Sequence, residues 1–236
     1  MSLPKPNTGK NISIKAGELE IFRYPIVTKV IVKDDDIAQE IALKTKSTLI
    51  EITQKNKVIV VSEKAVASSQ GRAYPIDEIK PSKLARFLSS FVTKTPYGIG
   101  LGIPETMHLA IQEVGIPRIL LAFIAAALTK PFGIKGVFYN VAGPKARGID
   151  GPTPYTLPPY NKYAVLAPKD PDKEAEKISK KLEGIGVAII DANDLGQNIL
   201  GSFNLDQTGL DVVLKAFKDN PLGQSDQQTP VAIVSW

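Results

Sequence analysis

The chain has 236 residues, of which 43% are hydrophobic and 22% charged, with a formal net charge of +5. That is the composition of a globular protein with room for one large domain or two small ones, and it excludes disorder on a large scale. There is no cysteine and one histidine, His108, which excludes disulfides, thiolate nucleophiles, zinc–thiolate sites, iron–sulfur clusters and any centre needing two imidazoles. A bound metal must therefore have oxygen ligands, which selects magnesium, manganese or calcium.

Residues 1–18, opening with "MSLPKPNTGKN", read as a loose leader without the apolar core of a signal peptide, and 19–236 as a single catalytic unit open to division into two intertwined subdomains. A strand is expected around 20–32, broken at Pro25, and "KDDD" opens a helix at 36–46 in which Asp34 to Asp36 act as a cap. "KVIVVSEKAVASS" places a buried strand at Val58–Val61 running into a polar turn. A helix over 81–94 puts Leu84, Phe87, Leu88 and Phe91 on one face. Helices are expected at 105–114 and 118–129, and a strand at Val137–Tyr139. Residues 141–161 are dense in Gly and Pro. "DPDKEAEKISKKLEGIG" is a strongly amphipathic helix capped by Asp170 or Asp172 and stopped by Gly184, feeding a strand at Val187–Ile190. A last helix at 209–218 leads to a polar loop and a closing strand. The alternation indicates an α/β or mixed α+β fold.

The longest apolar run, Ile119–Leu128, is too short to cross a bilayer. The lysines are scattered among acids, with no basic stripe interleaved with aromatics. A cytoplasmic protein without nucleic-acid or membrane partners is expected. "GIGLGI" at 98–103 lacks the G-x-G-x-x-G spacing and a preceding strand, so it reads as a turn. A phosphate-binding P-loop is absent.

Four loops are polar beyond what a turn requires, each after an expected strand: "SEKAVASSQGR" (62–72), "AGPKARGIDG" (142–151), "DANDLG" (191–196) and "LGQSDQQTP" (222–230). On the local sequence Asp191, Asn193 and Asp194 read first as a turn or the cap of a following helix, with ligands at the mouth of a buried strand as the alternative. Taken together, the loops fit an oxygen-ligand metal at Asp191 and an amide, with Lys and Arg nearby for phosphate. Magnesium or manganese would complete its shell with phosphate oxygens and water.

"VIVVSEKAVASSQGR", with "IDEIKPSKLA" behind it, resembles the N-terminal half of the coenzyme F-420 gamma-glutamyl ligases. There an apolar strand runs into a Ser/Lys-bearing turn with a Gly-Arg ending. "APKDPDKEAEKISKKLEGIGVAIIDAN" is similar to the family's Asp-Pro-Asp helix and following strand, and "PLGQSDQQTPVAIV" to its closing loop. The resemblance runs over residues 20–235. It implies a fold peculiar to the family, with mixed sheets and flanking helices, and a homodimer whose site lies near the subunit interface; the apolar segment 119–128 suits such an interface. It also implies joining of glutamate to a deazaflavin phosphodiester tail with GTP and Mg²⁺ or Mn²⁺.

Position by position, the resemblance puts the metal on Asp191 and Gln224. The nucleotide falls on Thr28, Lys29, Val30 and Ile31, on Glu63 and Lys64, and on Leu222, Gly223, Gln224, Ser225, Asp226, Gln227, Gln228 and Thr229. Three family positions differ: the metal-binding Thr is Ala192, an earlier metal Asp aligns with Lys145, and a nucleotide-contacting Lys is Ser68. The stretch between the Asp strand and the Gly-Gln loop is also shorter than in the ligases. The site is then either rebuilt, with Asp150 as third metal ligand and Lys145 and Arg147 facing phosphates, or degenerate. The reading is an amide ligase working through an acyl phosphate, with a non-catalytic nucleotide-binding regulator and a phosphatase-like hydrolase as rivals.

Overall fold

The computed structural model describes residues 3–92, 99–193, 196–223 and 226–236. In chain order it has β1 (Ser13–Ala16), β2 (Leu19–Ile26), α1 (Ile37–Glu51), β3 (Lys57–Ser62), α2 (Glu63–Ser69), β4 (Ala73–Pro75), α3 (Lys83–Ser89), α4 (Pro104–Val114), α5 (Ile116–Thr129), α6 (Val137–Ala142), α7 (Pro144–Arg147), β5 (Tyr163–Val165), α8 (Pro171–Lys181), β6 (Gly186–Asn193), β7 (Gly196–Phe203), α9 (Gln207–Ala216) and β8 (Val231–Ser235). The fold is mixed α/β. The chain forms two compact units, Met1–Gly71 with Pro168–Trp236, and Arg72–Ala167.

The first unit is built on a sheet of order β1-β2-β8-β3-β6-β7. β3 runs parallel to β6 and antiparallel to β8. Successive side chains of a strand point to opposite faces, and here both faces are covered, which is why these strands read as unbroken apolar runs. Ile59, Val61, Val187, Ile189, Val231 and Ile233 pack with Ile37, Ile41 and Ile178 of α1 and α8. Val58, Val60, Ala188, Ile190, Ala232 and Val234 pack with Val212, Val213 and Phe217 around α9.

Helix ends follow the chemistry of their caps. Asp36 accepts the Gln39 N–H at 3.0 Å, and Asp206 accepts that of Gly209 at 2.8 Å; each satisfies one of the orphan donors of a first turn. α8 ends where Gly184, at φ +87°, donates its N–H to the Ser179 carbonyl at 2.9 Å. Asp170 occupies the cap position of α8 without a side-chain cap bond, while Asp172 instead accepts the Ser202 N–H of β7 at 2.8 Å.

Arg23 is fully buried in β2. Its guanidinium donates to the Ala216 carbonyl at 3.0 Å, to the Asn11 carbonyl at 2.6 Å and to the Asp219 carboxylate. The stretch read as leader contributes β1 at the sheet edge, where it pairs antiparallel with β2.

The second unit gathers α3 to α7 around Leu88, Leu101, Met107, Ala110, Ile119, Ala122, Ala142 and Ile149. Val137–Tyr139, expected as a strand, begins α6 instead. Gly136 at φ +78° and Gly143 at φ +91° bracket that turn of helix, and a short apolar run does not distinguish strand from helix. Of the face expected on α3, Leu88 is buried while Phe87 and Phe91 are exposed and meet edge to face at 5.1 Å. The expected turn after Gly98 is present: Gly102 donates to the Ile99 carbonyl at 2.9 Å. Gly98 itself lies outside the described residues.

Candidate nucleotide and metal site

Strand register brings four predicted segments to one end of the first unit's sheet. Val231 at the start of β8 pairs with Ile26 at the end of β2 and with Val61 near the end of β3. Ser62 pairs with Ile190 of β6. The chain leaving β2 at Thr28, the turn into α2 at Glu63, the outer part of β6 at Asp191 and the approach to β8 therefore emerge along the same edge. Ligands of open α/β sheets collect at strand ends of this kind.

Hydrogen bonds tie the approach loop to the neighbouring segments. Thr28 donates its N–H to the Gln228 carbonyl at 3.2 Å, and Gln228 Nε2 donates back to the Thr28 carbonyl at 2.6 Å. Ser62 donates its N–H to the Pro230 carbonyl at 2.8 Å. Thr229 donates its hydroxyl to the Leu222 carbonyl at 2.9 Å and receives Asn7 Nδ2 at 2.9 Å. Gly223 takes φ +84°, and a Cβ there would lie 2.5 Å from Gln227 Oε1, so the loop needs a glycine at this point. Leu222 and Thr229 are buried, Gln227 and Gln228 half-buried and Asp226 exposed. Gln224 and Ser225 lie outside the described residues.

In the Thr28–Ile31 segment, Thr28 and Ile31 are buried, Val30 is half-buried and Lys29 is exposed. The Lys29 ammonium pairs with the Asp35 carboxylate, which also accepts the Val32 N–H at 2.7 Å. The hydrogen bond from Lys29, helped by that of Val32, holds the Asp35 carboxyl below its ordinary range. The same bond raises the Lys29 ammonium. Lys29 N–H is accepted by Glu40 of α1 at 3.1 Å. Glu63 is buried at the first position of α2, Lys64 beside it is exposed, and Ser68 is buried in the same helix.

Asp191 is not past the end of its strand. β6 continues through Asn193 and turns back as β7, with Asp191 opposite Asn198 and a register shift after Ile189. Asn193 Oδ1 accepts the Gly196 N–H at 3.1 Å, which is the turn chemistry of an Asn side chain. Asp191 is half-buried on this hairpin, and Ala192 packs against the α9 side of the core. Asp194 lies outside the described residues.

Lys145, Arg147 and Asp150 belong to the second unit. Lys145 and Arg147 sit on the single turn α7, which follows a helix rather than a strand. Arg147 Nη2 donates to Asn140 Oδ1 at 2.6 Å on the surface. Asp150 and Val165 exchange backbone hydrogen bonds at 2.9 Å in both directions. In this loop Gly143 takes φ +91°, whereas Gly148 and Gly151 act by allowing close approach. A Cβ on Gly148 would meet that of Ala167 at 2.8 Å, and one on Gly151 would meet Ile99 at 3.0 Å.

Among the described residues, no three Asp, Glu or His side chains gather as a metal cage. Of the donors expected from the sequence, Asp191 belongs to the first unit, Asp150 belongs to the second, and Gln224 lies outside the described residues. All are oxygen ligands, which suits magnesium or manganese. A cleft of about 590 Å³ that the sequence does not reveal lies in the first unit, lined by Asp35, Asp36, Ile37, Gln70, Glu174 and Lys177 among others. It is assembled from α1, the end of α2 and α8, elements far apart in the chain.

The profile of the family described as F420-0:gamma-glutamyl ligase matches residues 25–195. The chain belongs to the F420-0:gamma-glutamyl ligase family. Comparison with curated proteins gives no match. Membership places the chain among ligases of coenzyme F420 biosynthesis. The matched span runs from β2 through the end of β6, so it holds Thr28–Ile31, Glu63, Lys64, Lys145, Arg147, Asp150 and Asp191. The closing loop at 222–229 lies beyond it, although the resemblance seen in the sequence extended to 235.

Proposed function

We propose that the protein is a nucleotide- and divalent-metal-dependent acid–amino-acid ligase that adds glutamate, or another amino acid, to a carboxylate-bearing coenzyme-like substrate with GTP as co-substrate. The match of residues 25–195 to a gamma-glutamyl ligase family carries this reading. The bonding of Thr28 to Gln228 supports it, because two segments assigned to the nucleotide meet there.

In the proposed reaction a carboxylate oxygen of the acceptor attacks the terminal phosphorus of GTP, and GDP leaves. The resulting acyl phosphate is attacked at its carbonyl carbon by the amino group of the incoming amino acid. Phosphate departs, and the amine loses a proton to water as the amide forms. The protein's work is to hold the partners in line and to neutralise phosphate charge. The Thr28–Ile31 segment and the 222–229 loop bind the nucleotide, and Lys145 and Arg147 meet its phosphates. Asp191, Gln224 and Asp150 would hold Mg²⁺ or Mn²⁺, which would supply further charge neutralisation. As a homodimer in the cytoplasm, the protein would work in the manner of the ligases it resembles.

The test is incubation of the full chain with GTP, Mn²⁺, glutamate and a phosphodiester-tailed deazaflavin carboxylate. GDP release that depends on the amino acid, with a product heavier by one glutamyl residue in mass spectrometry, is the expected result. GTP binding without turnover, across a panel of carboxylates and amino acids, would instead establish the regulatory reading. Lys145 and Ala192, which replace a family acid and a family threonine, favour that second reading.

A further inference from the structure

α5, "IPRILLAFIAAALT", is apolar throughout except for Arg118 near its start and Thr129 at its end. Its inner side is explained by the second unit's core, where Ile119 and Ala122 are fully buried. The outer side is not. Leu121, Ile124 and Leu128, spaced to share one helix face, are all exposed, Leu128 by 67%. The stripe runs on into the turn after the helix, where Phe132 is 80% exposed and Ile134 is exposed two residues later. On the flank Phe91 meets Phe123 edge to face at 5.4 Å, which extends the apolar surface to α3. A monomeric soluble surface rarely carries a contiguous apolar patch of this kind without a partner.

The charged residues flanking the patch along the chain have one sign. Between Glu113 and Asp150 the chain has five basic residues, Arg118, Lys130, Lys135, Lys145 and Arg147, and no acidic one. The unit Arg72–Ala167 holds eleven Lys and Arg against five Asp and Glu, of 29 and 24 in the whole chain. The protein's net positive charge therefore resides in this unit. Lys130 and Lys135 bracket Phe132 and Ile134 directly.

We propose that the outer face of α5 and the Lys130–Lys135 turn dock the protein on the surface of a lipid bilayer rich in anionic headgroups. Exposed aliphatic and aromatic side chains enter the boundary between headgroups and acyl chains while flanking lysines meet lipid phosphates. Fourteen helical residues reach only about 21 Å, short of the ~30 Å of a hydrocarbon core, and no single described helix is long and apolar enough to cross a membrane. The helix therefore lies on the bilayer rather than across it. A second copy of the chain, the occupant expected for residues 119–128 from the sequence, suits the face less well, and the proposed homodimer would then pair through another surface. A two-fold interface brings the same patch of each copy together, and this one would oppose basic residues with no acid to answer them. The proposal departs from the sequence-based expectation of no membrane partner, because hydropathy reports that a helix is apolar, not which of its sides the fold covers.

The test is flotation of the full chain with vesicles of phosphatidylcholine alone and of phosphatidylcholine mixed equally with phosphatidylglycerol. The parent should float with the anionic vesicles and remain largely free of the neutral ones, and added salt should weaken the association. Ile124→Ser/Leu128→Ser, and separately Lys130→Glu/Lys135→Glu, should each reduce partitioning by about tenfold or more, with unchanged circular dichroism. Absence of flotation, or flotation that neither pair of changes affects, overturns the proposal. So does a dimer in light scattering that Ile124→Ser/Leu128→Ser converts to a monomer while the parent ignores vesicles, which assigns the face to a second copy.

Discussion

Gln228 holds Thr28 from two directions: its carbonyl accepts the Thr28 N–H at 3.2 Å and its side-chain amide donates to the Thr28 carbonyl at 2.6 Å. Two segments 200 positions apart in the chain are thereby joined at the end of the sheet. Gln228→Ala leaves the backbone bond in place and removes the side-chain donor. Stability should fall by about 0.5–1.5 kcal/mol, the net worth of a hydrogen bond in a folded protein. Urea denaturation measures that loss, and calorimetry with GTP and Mn²⁺ should show weaker binding. Full GTP affinity in the variant would mean that the joined segments do not form the nucleotide site.

Asp191→Asn tests the metal. The backbone pairing of residue 191 with Asn198 does not depend on the carboxylate, and Asn has nearly the same shape. The expected result is loss of manganese-dependent GTP binding in calorimetry with the fold retained in circular dichroism. Retention of manganese affinity would remove Asp191 from the site.

Lys145→Ala and Asp150→Ala separate charge neutralisation from metal binding in the second unit. The lysine change should weaken GTP binding by about 1–3 kcal/mol, the cost of losing a hydrogen bond to a charged group. Asp150→Ala should act on the metal dependence, and the Asp150–Val165 backbone bonds should preserve the local fold. If both variants bind GTP and Mn²⁺ like the parent, this loop is a surface turn and the regulatory reading gains.

The Lys29–Asp35 pair brings a pH dependence with a definite sign. Asp35 titrates below its ordinary value in the folded chain because Lys29 and the Val32 N–H stabilise its charged form. Its contribution is therefore present above the unfolded carboxyl pKa of about 3.9 and lost as pH falls through the depressed folded value. Lys29, raised by the same bond, contributes below its unfolded pKa of about 10.4, and the contribution disappears as pH rises through the folded value. The pair is near the surface and its effect is small. Thermal melts of the parent and Asp35→Asn should differ between those limits and converge in acid. A constant difference at every pH would show that the variant acts through shape rather than charge.

Arg23→Met should be the most damaging of these substitutions. It keeps an apolar stem but removes the donor of the buried Ala216 carbonyl, of the Asn11 carbonyl and of the Asp219 carboxylate. A loss of about 2–4 kcal/mol in urea denaturation is expected, because unsatisfied buried acceptors retain their full desolvation cost. A variant as stable as the parent would show that the guanidinium only breaks even against its own desolvation.

Much of the scaffold was legible locally. Val58–Val61 and Val187–Ile190 are continuous apolar runs because both faces of their sheet are covered, and burial is what hydropathy reports. The start of α1 at Asp36 and the end of α8 at Gly184 were legible because caps are chemistry between residues a few positions apart. Four loops named for the candidate site stood out as polar beyond the needs of a turn, while Thr28–Ile31 was named only by the family resemblance. Their grouping could not be read. That Thr28 meets Gln228, that Asp191 lies within a hairpin and that Lys145 and Asp150 fall in a separate unit all depend on strand register and on pairings across the whole chain. Arg23, charged inside a strand, gave no local sign that its partners would be Asn11, Ala216 and Asp219. For α5 the sequence determined an apolar helix, and only tertiary packing decided that Ile119 would be buried and Leu128 left bare. A periodic pattern sets which residues share a face, whereas the neighbour that covers a face is supplied by chain distant in sequence.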